Sequence, residues 1–151
     1  MSNPSEPSPR IQPSGRPVTG ATVVWLGTVT DSSELFDVRR AAAGALREAG
    51  CSDDSIDNVV LALSELAINA LTHGAASSVE VTVSVETSPP CAVLVVRHVD
   101  RGIPALVDPP AMAGAHQLHG RGRAIVASIA DCFDTFLRPG NEIEHVARFV
   151  A

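Results

Sequence analysis

Hydrophobic periodicity changes twice along this chain, and the order of those changes limits the folds open to it. Leu35, Val38, Ala42, Ala45, Leu46 and Ala49 recur at the spacing of one helical face. An N-cap at Asp31 or Ser32, Glu34 and Glu48 bracket this helix, which closes at Gly50. A second helix is expected from near Ser52, where Asp53 and Asp54 suit the positive end of the helix dipole. Its apolar residues Ile56, Val60, Leu63, Ala67, Ala70 and Leu71 keep the same period, and Gly74 stops it. The period then falls to two in SVEVTVSVE (78–86), as in a strand with one buried face. CAVLVVRHV (91–99) follows as a more continuously apolar strand, and Ser88-Pro89-Pro90 suggests a hairpin turn between the two.

The flanks complete the pattern. ATVVWLGTV (21–29) is rich in β-branched residues and reads as a strand. Residues 102–119 are irregular and proline-bearing, a length that marks a functional loop or lid. GRGRAIVASIADCF then reads as a third helix, and strands near 132–138 and 142–150 are joined by Pro139-Gly140-Asn141. The order β-α-α-β-β-loop-α-β-β groups like with like, whereas a doubly wound parallel sheet needs strict alternation. The expected fold is therefore a two-layer α/β (α+β) sandwich, a mixed, mostly antiparallel sheet with helices on one face.

The length of 151 residues suits a single domain, expected over 21–151, behind a Pro-, Ser- and Gly-rich tail (1–20) expected to be disordered. Hydrophobic residues make up 45% and aromatics 3%, so the core must be aliphatic. A net charge of -6 argues against direct nucleic-acid binding, which needs a basic surface. All eleven basic residues are Arg. Without Lys there is no P-loop, no eukaryotic-type protein kinase site and no pyridoxal Schiff base. Cys51, Cys91 and Cys132 lie far apart, with neither a zinc nor a disulfide pattern, and are expected as free thiols. No N-terminal leader and no apolar run of about 18 residues is evident, so a soluble, cytoplasmic protein without a membrane partner is expected.

Three local patterns bear on chemistry. In SELAINALTHG, Glu65, Asn69 and His73 recur at steps of four and form one inclined stripe beside the apolar face. An Asn oxygen is a hard ligand suited to Mg²⁺, and a Glu one turn earlier could accept a proton from a hydroxyl or water. The same stripe could equally be a polar helix edge making ordinary hydrogen bonds. In VDRGIP, Asp100 leaves an apolar strand and Gly102 follows; a carboxylate there could accept from an exocyclic amine, or the pair could be a simple turn. In HGRGRA, Gly120 and Gly122 open a helix whose backbone N–H groups could cradle phosphate, helped by Arg121 or Arg123, or form a hinge. His116 and His119 lack further metal-ligand partners, and Ser64 lacks a nucleophile elbow.

The order and spacing of ELAINALTHG, VDRGIP and HGRGRAIV resemble the GHKL (Bergerat-fold) ATP-binding proteins, over about residues 21–150. Among them the match looks closest to anti-sigma factor serine kinases of the RsbW type. That resemblance implies a Bergerat ATP-binding fold that uses ATP and Mg²⁺. It implies Glu65 as general base, Asn69 as Mg²⁺ ligand and His73 in a supporting role. Asp100 would read the adenine amine, Gly102 would admit the ring, and Gly120, Arg121 and Gly122 would close over the phosphates. It further implies a sigma factor and a STAS-domain anti-anti-sigma protein as partners, and a homodimer. Two positions depart from the family pattern: Pro104 replaces a motif glycine, and Glu142 stands where many relatives carry a threonine near the adenine. These favour the alternative, a non-catalytic regulatory module that acts by protein contact with weak or no nucleotide binding.

Overall fold

Two helices that meet at one small residue, above one end of a five-stranded sheet, are the part of this fold that matters for function. The computed structural model describes residues 20–73, 76–99 and 118–150. Strand β1 is Thr22–Val29, α1 Leu35–Glu48, α2 Asp53–Thr72, β2 Val79–Thr87, β3 Pro90–Val99, α3 Leu118–Ile129, β4 Cys132–Arg138 and β5 Glu142–Val150. The element order is the expected one. Every pairing is antiparallel, so the sheet is not mixed, and its strand order is β1-β2-β3-β5-β4. The expected tail, Gly74, and the loop carrying Asp100, Gly102, Pro104 and His116 lie outside the described residues, apart from Gly20 at the tail's end.

Local chemistry sets the helix ends. A single 3-10 turn, Ser32–Glu34, leads into α1. There the Glu34 carboxylate accepts from the backbone N–H groups of Thr30 at 2.7 Å and Asp31 at 3.3 Å. Gly50 takes φ +90°, the left-handed turn that lets the chain leave α1 and begin α2 three residues later. Ser52 caps α2, its Oγ accepting from the Ser55 N–H at 3.2 Å, with Asp53 and Asp54 in the first turn.

Alternation along the strands divides the sheet into two faces. Val79, Val81, Val83, Ala92, Leu94, Val96, Ala147 and Phe149 join the buried α2 residues Ile56, Val59, Ala62, Leu63, Leu66 and Ala67 in one core. The opposite face, which no described helix covers, carries Cys91, Val93, Val95 and Val146 with Phe136 packed against them. By length and composition α2 could cross a bilayer, but half of it is buried in this domain, and it is the central core helix.

Connectivity then gathers several ends together. The Ala76 N–H bonds back to the Ala70 carbonyl at 3.0 Å, so the chain turns from the end of α2 straight into β2. Val79 pairs with His98 near the end of β3, and His98 pairs with Ile143 near the start of β5. The C-terminal turn of α2, the start of β5 and Val99, which precedes the VDRGIP aspartate, therefore share one end of the sheet.

Candidate functional site

The polar stripe of α2 runs towards this end. Glu65 and Asn69 are half-buried, and His73 is the exposed C-cap residue. On the wheel, Asn69 turns from Glu65 towards the buried side, where Ala62 and Leu66 are fully enclosed. Among the described residues, neither the Glu65 carboxylate nor the Asn69 amide makes a side-chain hydrogen bond or ion pair. The ordinary polar edge predicted such bonds, and they are not made.

Helix α3 meets that stripe at Gly122. A Cβ there would stand 3.2 Å from Glu65 Oε1 and 3.4 Å from its backbone carbonyl oxygen. The fit is tight: a side chain at 122 would make the Glu65 carboxylate give by a few tenths of an ångström. The helix begins at Leu118, so Gly120 and Gly122 lie inside its first two turns rather than ahead of it. Its first N–H groups, Leu118 to Arg121, have no acceptor within the helix. The positive end of a helix dipole therefore lies one turn from the contact with α2, an arrangement suited to anionic oxygen. Of the residues expected at the site, the structure brings Glu65 and Gly122 together and sets Asn69 one turn along from Glu65. Asp100 and Gly102 lie outside the described residues, and Gly120 and Arg121 are described by backbone alone.

A buried polar group behind α3 went unnoticed in the sequence. His98 on β3, and His145 and Thr135 on β5 and β4, occupy inward positions. The two imidazoles stack with centroids 5.6 Å apart, and Phe133 lies 6.0 Å from His145 on the other side. His145 Nδ1 and Thr135 Oγ1 share a 2.9 Å hydrogen bond. Burial pushes the His145 pKa down to about 3, helped by the charges of His98 and Arg123. Arg123 itself is held below its usual range by burial, and its Nε is buried without a partner among the described residues. The signal was available: alternation along EIEHVARFV puts His145 on the same face as Ala147 and Phe149.

Glu142 needs a correction. Register places it opposite Val99 and Arg138, on the face that carries Val93 and Val146, away from the helices. Its carboxylate is 3.9 Å from Arg138 Nε. Ile143, buried, holds the helix-facing position instead. Cys51, Cys91 and Cys132 are not joined in disulfides. His119 lies in α3, and no group of three His, Cys, Asp or Glu among the described residues could hold a metal by itself. Magnesium takes one or two protein oxygens and completes its shell with water and phosphate, and the unpartnered Asn69 oxygen fits that demand.

A two-layer α+β domain with an asparagine-bearing core helix and a second helix packed on it through a glycine has the architecture of a GHKL ATP-binding domain. A family model, the histidine kinase-like ATPase domain, matches residues 29–145, and the chain belongs to that family. No curated protein matches the chain. ATP binding is the property the family carries.

Proposed function

We propose that this chain is an anti-sigma factor serine kinase: it binds Mg-ATP, sequesters a sigma factor, and phosphorylates a STAS-type antagonist. The observation that supports this most is the close approach of Glu65 to Gly122 in the second turn of α3. Asn69 would hold Mg²⁺, which when bound neutralises and orients the phosphate oxygens. Gly120, Arg121 and Gly122 would close over those phosphates, while Asp100 would accept from the adenine amine with Gly102 admitting the ring. Glu65 would take the proton of a serine hydroxyl as its oxygen attacks the γ-phosphorus and ADP departs. His73, at the end of the stripe, would support the site from the solvent side. The reading includes a cytoplasmic location, a homodimer and the N-terminal segment as a tail outside the kinase domain.

The non-catalytic reading loses one of its two grounds with Glu142 on the far face, and keeps Pro104. Calorimetric titration with Mg-ATP separates the two readings. The wild type is expected to bind and Asn69→Ala to lose most of that affinity. Glu65→Ala is expected to bind ATP and fail to transfer phosphate. Equal heats from wild type and Asn69→Ala would remove Asn69 from the site. An absence of heat at millimolar Mg-ATP would exclude the kinase.

A further inference from the structure

Three large apolar side chains stand in solvent on the helical layer: Phe36 at 59% exposure, Leu61 at 40% and Ile68 at 43%. Leu61 precedes Glu65 by one turn and Ile68 follows it by nearly one. At 100° per residue, Leu61, Glu65 and Ile68 fall within an arc of about 60°, with Glu65 at one margin and Asn69 turning away beyond it. The proposed base therefore stands on a boundary, between the inward polar stripe and an outward apolar crest.

Phe36 extends that crest onto α1. The Arg39 guanidinium donates to Ser64 Oγ at 3.4 Å, which fixes where the two antiparallel helices lie level. One turn back along α1 is Phe36, and about one turn forward along α2 is Ile68. The Arg40 guanidinium sits 5.7 Å above the Phe36 ring and forms no ion pair among the described residues. A cation fixed on an apolar crest, without an acidic partner of its own, is complementary to an incoming carboxylate.

We infer that the Phe36–Leu61–Ile68 crest, with Arg40, is the docking surface for the phosphate acceptor: a protein segment whose serine is flanked by aliphatic residues, with a carboxylate for Arg40. The inference rests on the kinase reading, because that reading makes the hydroxyl reach Glu65 from the side that the nucleotide leaves free. A small-molecule acceptor would have no use for apolar rungs one turn above and one turn below the base.

The test uses the full chain with Mg-ATP and a positional library of short serine peptides, scored by phosphate incorporation. Mg-ATP affinity is measured alongside by calorimetry. The expected profile favours aliphatic residues on both sides of the serine and Asp or Glu at one further position. Leu61→Glu with Ile68→Glu should lower kcat/KM for the preferred peptide at least about tenfold, the value of two buried aliphatic contacts. Leu61→Ala with Ile68→Ala should lower it in the same direction. In all variants ATP affinity should stay within about twofold of wild type, since exposed positions are changed. Arg40→Glu should turn the acidic preference into a basic one. A flat library profile, no peptide phosphorylation, or a profile unchanged in these variants, each with ATP binding intact, would overturn the docking surface and leave the kinase reading standing. Loss of ATP binding by the wild type would instead remove the reading beneath it.

Discussion

Gly122 is where α3 comes closest to the Glu65 carboxylate. Its backbone has no positive φ, so alanine meets only a tight contact: the new carbon would lie 3.2 Å from Glu65 Oε1 and 3.4 Å from the backbone oxygen. The backbone oxygen cannot rotate away, so the carboxylate must shift. Gly122→Ala is expected to cut phosphotransfer by about tenfold or more while Mg-ATP affinity falls much less, as single-turnover rates beside calorimetry would report. A parallel loss of both would mean the glycine serves nucleotide binding instead. His145 makes a prediction in pH. Its folded pKa, about 3, lies below the ordinary histidine value of 6.5. Above that ordinary value neither state is protonated and the ring is neutral in the balance. Below it the unfolded chain takes a proton that the folded chain refuses, so stability falls as pH drops towards 3. Denaturant unfolding should show a loss of up to about 1.4 kcal/mol per pH unit below 6.5 from this ring. His145→Gln, which keeps an acceptor for Thr135, should flatten that slope; an unchanged slope would place the titration elsewhere. At this scale the stripe of α2 was legible, because helical periodicity alone sets Glu65, Asn69 and His73 in line. The contact with Gly122 was not, because it depends on how two helices fifty residues apart cross.

Elements in this fold are joined by polar contacts as much as by apolar ones. Glu144 on β5 has no exposed side-chain surface, and it holds Arg97 of β3 at 3.1 Å and Arg138 of β4 at 3.4 Å. One carboxylate thus ties three neighbouring strands on the face opposite the helices. Glu144→Ala would leave two half-buried guanidiniums without their anion and should cost about 3 kcal/mol in chemical denaturation. A cost near zero would show that the arginines find solvent. The cap of α2 is a smaller matter: Ser52→Ala removes the acceptor for the Ser55 N–H and should lower stability by about 1 kcal/mol. Element identity and order were readable from period and turn residues, and β4 and β5 fall at the predicted bounds. Helix α3 begins earlier than its glycines suggested, since Leu118 and His119 already carry helical backbone. Glycine discourages a helix interior only weakly, and here packing on α2 prevails over that preference.

At the scale of the whole molecule, the block order of helices and strands foretold two layers but not the strand order. The placement of β5 between β3 and β4 is a long-range pairing, set by which faces fit, and no local pattern encodes it. Alternation within β5 is enough to set Glu142 on the face opposite His145, Ala147 and Phe149, so its face follows from the strand period alone. Another consequence of the layout concerns measurement. Trp25 is the sole tryptophan, and the chain has no tyrosine. Its indole folds along edge strand β1 onto Gly27, where an added Cβ would meet the ring. That strand is two places from β3 in the sheet, on the side away from β5 and β4. Intrinsic fluorescence is thus a single-site gauge of whether the β1 edge is folded. It should follow denaturation cleanly and stay level as nucleotide is added, so ligand titrations on this protein call for heat or a bound dye rather than its own light.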